Sequence, residues 1–150
     1  MVVQDYIWNQ VVNNQGKLTT RIYFDEMQNQ FLTDNQAEFF TNLYARVRKY
    51  GAIPTGITQN VETLLARTEG RKLISNSEFI VLLKQKKTDL QYLTQTINLT
   101  DALIRYVEKP KEKGTGLIIA GQTAVPFENP IPKNTELFRL VATDAYRQID

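Results

Sequence analysis

Thr20-Arg21-Ile22-Tyr23-Phe24-Asp25-Glu26 is a short β-branched and aromatic run that ends in two adjacent carboxylates. Bounded upstream by Gly16, it reads as a strand that delivers its acids to a sheet edge. Upstream, Val2, Val3, Tyr6, Ile7, Val11 and Val12 recur at helical spacing, and Asn13-Asn14-Gln15-Gly16 supplies a stop, so a helix is expected over 2–13. Downstream, Asp34 or Asn35 caps a second helix whose apolar stripe, Ala37, Phe40, Leu43, Tyr44 and Val47, runs to Lys49-Tyr50-Gly51. Residues 52–58 form a second strand, weakened by Pro54 and Gly56, with Gln59 at its carboxyl end. Asn60 then caps a helix over 61–65, and another short helix covers 69–74. The unbroken apolar run Glu78-Phe79-Ile80-Val81-Leu82-Leu83 suits a strand covered on both faces of a parallel sheet.

Residues 88–96 and 100–107 read as a helix pair, each opened by a threonine. The polar spacer 109–114, with Pro110 and Gly114, is a flexible solvated loop. Residues 115–143 form a β appendage. Its hairpin turns at Gly121-Gln122, a last strand covers 136–141, and 144–150 is a frayed tail. Strand and helix alternate over the first two-thirds, which predicts an α/β fold: a mostly parallel sheet with helices on both faces and an antiparallel hairpin near the end.

At 150 residues, 42% hydrophobic and 23% charged, the chain suits one globular domain over 1–150. No apolar run approaches the roughly 18 to 20 residues that span a bilayer, and residues 1–15 lack a signal-peptide pattern, so a cytoplasmic location is expected. Eighteen basic against sixteen acidic residues gives a net charge of +2, too balanced to argue for a nucleic-acid surface. With neither Cys nor His, the chain cannot build a common zinc site, a disulfide, a thiol nucleophile or a Ser-His-Asp triad. Chemistry must come from carboxylates, Lys, Arg, Tyr and amides, with or without Mg²⁺.

In open parallel sheets, ligands gather at the carboxyl ends of strands. There, Asp25 and Glu26 can divide labour, because consecutive residues of an extended backbone point in opposite directions: one oxygen towards Mg²⁺, one carboxylate towards a water. This is the Walker B pattern of nucleotide hydrolases. An acid pair that merely ends a strand and caps a turn fits the same residues. Arg46, Arg48 and Lys49 complement a helix C-terminus, or one of them neutralises charge on a transferring phosphoryl group. Gln59 caps the next helix or orients a water beside phosphate. Spacing does not choose between these readings.

A phosphate-binding loop reads G-x-x-x-x-G-K-[ST]. Gly16-Lys17 is followed by Leu18, and position 11 holds Val11 instead of the first glycine, so this chain acting alone is not expected to turn over ATP.

Taken in order, the 20–26 segment, Arg46-Val47-Arg48-Lys49-Tyr50-Gly51, Thr55-Gly56-Ile57-Thr58-Gln59-Asn60-Val61-Glu62 and Ser75-Asn76-Ser77-Glu78-Phe79 closely resemble the C-terminal part of the conjugation-type motor ATPases. These are the type IV secretion energisers of the VirB-four or TraC-like family, especially those of Gram-positive conjugative elements. Gly114-Thr115-Gly116-Leu117-Ile118 and Val125-Pro126-Phe127 resemble the family's closing segment. The resemblance implies a RecA-like P-loop NTPase fold, ATP and Mg²⁺ as cofactors of the full-length family, a hexameric cytoplasmic motor peripheral to the membrane, and inner-membrane secretion components as partners. It makes Asp25 the Mg²⁺ holder through water, Glu26 the residue that polarises the attacking water, and Gln59 the sensor amide. Arg48, eleven residues before Gln59, becomes the arginine finger, with Arg46 or Lys49 as substitutes.

Without a phosphate loop the sequence reads as a fragment or truncated frame. In the RecA-like order the phosphate-loop strand lies between the strands at 55–58 and 78–83. Two unpaired edges are then expected to rearrange, dimerise or reduce solubility. Two other functions compete: a non-catalytic module that assembles with secretion components, and part of a DNA-pumping ATPase. DNA contact ranks lower, because no aromatic-and-basic stacking surface is evident.

Overall fold

The computed structural model describes residues 2–129, 132 and 134–141. The tail at 144–150 and the last residues of the 115–143 segment lie outside the described residues. Helix α1 covers Val2–Asn14 and is followed by β1, Thr20–Phe24. A 3-10 turn, Met27–Phe31, leads into α2, Asp34–Arg46. Neither Asp34 nor Asn35 caps α2; Thr33 does, its hydroxyl accepting from the Gln36 N–H, while Asp34 sits in the first turn, where the helix dipole favours an acid. A second 3-10 turn, Val47–Tyr50, closes the helix, and Gly51 takes the left-handed conformation at φ 70° that an L side chain resists.

Strand β2, Ala52–Gly56, runs parallel to β1 in the register Thr20↔Ala52 to Phe24↔Gly56. Pro54 is tolerated because, among the described residues, β2 pairs on one side only. Helices α3, Val61–Leu65, and α4, Thr68–Ser75, follow, and Asn60 caps α3 by accepting from the Thr63 N–H at 2.9 Å. Buried Asp89 also accepts from this helix end, taking the Glu62 N–H at 3.1 Å.

Strand β3, Phe79–Leu82, departs from the sequence reading. It pairs antiparallel with β4, Thr115–Ala120, which pairs antiparallel with β5, Thr123–Glu128. Phe79 and Val81 face outward while Leu82 is buried, so the apolar run is not covered on both faces within the described residues. An apolar run reports that a strand suits apolar surroundings; it does not name its neighbour. Between β3 and β4 lie α5, Lys87–Thr96, and α6, Asp101–Glu108. Their N-caps are Lys86 and Thr100, so the threonine expected to open the first of the pair, Thr88, lies inside it. The two-residue turn Gly121-Gln122 joins β4 to β5, with Gly121 at φ 57°.

The strand expected at 136–141 is a helix, α7, Glu136–Val141. Thr135 accepts the Phe138 N–H at 3.2 Å, and Glu136 occupies the first turn; a local cap of this kind outweighs the β propensity of Phe138 and Val141.

Two apolar clusters hold these elements. Val11, Met27, Phe31, Ala37, Phe40, Leu43, Val47, Ala52, Leu64 and Leu73 form the first, beneath the parallel pair. Val61, Leu65, Leu82, Leu90, Leu93, Val107 and Leu117 form the second, beneath the antiparallel sheet. Adjacent Leu64 and Leu65 of α3 enter different clusters, so this one-and-a-half-turn helix joins them. Among the described residues no helix is long and apolar enough to cross a membrane.

Candidate active site

The parallel pair places the two sequence-predicted site segments side by side. The Ile57 N–H donates to Phe24 O at 2.8 Å, and Ile57 O accepts from the Met27 N–H at 2.8 Å. Ile57 thus bridges the chain on either side of Asp25-Glu26. This backbone stitch puts the end of β2 in fixed register with the acids, and side-chain contact follows: Gln59 Nε2 donates to Glu26 Oε1 at 2.6 Å.

The acids are not arranged by strand alternation. Glu26 has left the extended conformation for the left-handed region, at φ 50° and ψ 47°, and is the one non-glycine there among the described residues. Such a backbone costs of order 1–3 kcal/mol and persists only where surrounding contacts hold it. Three do so. The Glu26 N–H donates to Asp25 Oδ1 at 2.9 Å, Gln59 binds Oε1, and Gln28 Nε2 binds Oε2. Asp25 is exposed and Glu26 half-buried, so the two carboxylates sit in different surroundings.

Gln28 has no signal in the sequence. It becomes buried because the 3-10 turn Met27–Phe31 folds it inward beside Met27 and Phe31. Its Oε1 accepts from the Thr58 hydroxyl, so the segment 58–60 reaches Glu26 through Gln28 as well as through Gln59.

Tyr44 of α2 lies under the same corner. A Cβ built on Gly56 would stand 2.9 Å from its hydroxyl and 3.2 Å from Met27 Cγ, so a side chain at Gly56 would crowd Tyr44 and Met27. The hydroxyl lies beside the Gly56 backbone without a hydrogen bond of ordinary geometry. Burial pushes its pKa up to about 12 from 10.0, the Gly56 backbone offsetting part of that rise. Between these two values the unfolded chain is ionised at Tyr44 and the folded chain is not. The unfolded state then binds fewer protons, so stability falls as pH rises from 10 to 12, by about 2 kcal/mol, and is unaffected by this group below pH 10. Urea unfolding at pH 8 and pH 11 checks this: Tyr44→Phe is expected to remove that part of the alkaline loss.

The three cations have different partners. Arg46 lies over the Trp8 ring at 5.5 Å, and Lys49 over Tyr50 at 5.2 Å, with Trp8 and Tyr50 themselves in edge contact. Arg48, on the same 3-10 turn as Lys49, has a side chain 94% exposed, with Glu78 at 3.9 Å. None of the three forms a hydrogen bond or ion pair with Asp25, Glu26 or Gln59 in this chain.

Mg²⁺ prefers oxygen ligands, keeps several waters, and is commonly held by one or two carboxylates together with substrate phosphates. Exposed Asp25 fits that donor chemistry. Among the described residues no group of three or more His, Cys, Asp or Glu side chains converges to form an all-protein site.

β2 stops at Gly56, short of the 52–58 expected, so Gln59 lies three residues beyond it, as Asp25-Glu26 lie just beyond β1; this parallel pair, flanked by helices and followed by an antiparallel hairpin, defines the C-terminal part of a RecA-like α/β domain. Among solved structures, VirB4 of Thermoanaerobacter pseudethanolicus matches this chain with a TM-score of 0.73 and 28% sequence identity, over 87% of this chain. The chain is thus VirB4-like, as its ordered motifs imply, and it spans 36% of the length of that VirB4 chain. No protein-family model and no curated protein matches it.

Proposed function

We propose that this chain is the part of a type IV secretion motor ATPase that carries the catalytic carboxylate, the sensor amide and the arginine finger, while the phosphate-binding loop comes from another segment of the motor. The observation that supports it best is the 2.6 Å hydrogen bond between Glu26 and Gln59 at the carboxyl ends of two parallel strands. A carboxylate there takes a proton from water as the water attacks, and an amide on the next strand orients that water or reports on the phosphate. Glu26 is the general base and Gln59 the sensor. Asp25 would hold Mg²⁺ through water, and ATP with Mg²⁺ supplies the phosphoryl group and the charge that neutralises it. Arg48 is the finger, since Arg46 and Lys49 are engaged with rings of their own subunit.

β2 and β3 sit in separate sheets, each with one unpaired edge among the described residues, where a strand bearing the phosphate loop would fit. The motor works as a self-associated ring, a hexamer on the family's pattern, peripheral to the inner membrane and in contact with other secretion components. DNA contact and the DNA-pumping role rank below this.

A non-catalytic assembly module is the second reading. Phe79, Val81, Ile118 and Val125 are exposed, and the register sets Val81, Ile118 and Val125 in one row across the antiparallel sheet, a face suited to a protein contact.

ATP hydrolysis by the purified chain mixed with a phosphate-loop-bearing upstream segment separates the two. Activity only in the mixture, falling about 10²- to 10⁴-fold with Glu26→Gln, is expected. Association without nucleotide and without any hydrolysis would instead favour the assembly module.

A further inference from the structure

Among the described residues Gln28 is the one buried amide that touches Glu26, and its orientation follows from chemistry. A carboxylate only accepts, so the amide NH₂ of Gln28 must face Glu26 Oε2, and its carbonyl oxygen must face Thr58. That carbonyl can only accept, so the single proton of the Thr58 hydroxyl goes to it in preference to Asn60 O, which lies farther off at 3.3 Å. The Thr58 oxygen in turn accepts the Asn60 N–H at 3.3 Å. The β2 end therefore grips the carboxylate with two arms of different character. One is Gln59 on Oε1, an exposed side chain that water can replace; the other is Thr58 through Gln28 on Oε2, with Gln28 8% exposed.

We propose that Gln28 is a positioning residue: with Thr58 it holds one oxygen of Glu26, so that the carboxylate stays aimed when Gln59 leaves the other oxygen for the phosphate. This deepens the reading of Glu26 as general base and rests on it. The left-handed backbone at Glu26 makes such a holder necessary. Glu26 lies on the turn beyond β1, outside the strand ladder, so once Gln59 leaves, the Gln28 contact is what keeps the carboxylate from rotating.

The test begins with the carboxyl ¹³C signal of Glu26 and the side-chain amide signals of Gln28 and Gln59 in the purified 150-residue chain. Thr58→Val is expected to move the Gln28 amide and Glu26 carboxyl signals. In a Gln28→Met background the same substitution is expected to leave Glu26 unmoved, because the relay is gone. If Thr58→Val leaves Glu26 unmoved with Gln28 present, the proposal is wrong, and this arm holds even if Gln28→Met does not fold. In the mixture with the phosphate-loop segment, Gln28→Met is expected to lower kcat about ten- to a hundredfold with KM for ATP unchanged. Wild-type kcat in Gln28→Met, alongside inactive Glu26→Gln, overturns the role of Gln28 alone. Full turnover by Glu26→Gln overturns the assignment of the base beneath it.

Discussion

Arg48→Ala subunits are expected to lose ATP hydrolysis about a thousandfold in the assembled motor and to regain part of it when mixed with Glu26→Gln subunits. The backbone of Arg48 is well anchored. Val47 beside it is 1% exposed, Gly51 caps the turn at φ 70°, and the Gly51 N–H donates to Arg48 O at 3.1 Å. The guanidinium is unconfined, since an exposed pair with Glu78 at 3.9 Å is screened by water and holds it weakly. A fixed base with a free cation suits a group that must reach a nucleotide on a neighbouring subunit. If the finger acts across the interface, a Glu26→Gln subunit can lend its intact Arg48 to an Arg48→Ala subunit whose Glu26 is intact, and mixed rings recover what neither homogeneous ring performs. Arg46→Ala loses its contact over Trp8 and is expected to lower thermal stability more than turnover. Steady-state hydrolysis across a titration of the two variants is the measurement. Wild-type turnover by Arg48→Ala alone would remove Arg48 from the site.

Gly70→Ala is expected to destabilise the fold by about 4 kcal/mol or more, among the largest effects available to a single methyl group. A Cβ on Gly70 would lie 1.9 Å from Leu64 O, 2.8 Å from Leu64 C and 3.3 Å from Leu64 Cδ1. Two of these atoms are backbone, and no rotamer change relieves them. The carbonyl belongs to α3, whose Leu64 and Leu65 anchor the two clusters, so moving α3 away from α4 would disturb both cores. Gly16→Ala is the control. Gly16 has φ 72° but nothing within 4 Å of its Cβ, so its cost is the left-handed backbone alone, about 1 kcal/mol. Urea unfolding followed by circular dichroism compares the two. A Gly70→Ala midpoint as high as that of Gly16→Ala would contradict the close approach of α3 and α4.

Much of the architecture is legible in the sequence because it is local. The apolar stripe of α2, the β-branched run of β1 and the Asn60 cap of α3 each depend on residues within a few positions of one another, and each forms where that spacing places it, although Thr33 and not Asp34 or Asn35 caps α2. Asp25, Glu26 and Gln59 are legible for the same reason, since each follows within a few residues a strand readable on its own.

Pairing and burial are not local, and there tertiary structure decides. Whether 78–83 joins a parallel or an antiparallel neighbour depends on the hairpin, whose strands lie more than thirty residues away, and the structure chose the hairpin. The left-handed turn at Glu26 cannot be read from a glutamate, which has no preference for it; Gln28, Gln59 and the Ile57 stitch impose it. Gln28 itself is one polar residue among several in Met27-Gln28-Asn29-Gln30 until the 3-10 turn buries it against Thr58. By itself, then, the sequence determined most of the helices and strands over 2–128, though not the helix at 136–141, and which acids and amide lie just beyond the ends of β1 and β2. The fold alone decided which of them meet, because a hydrogen bond between residues thirty positions apart exists only after the intervening chain has packed.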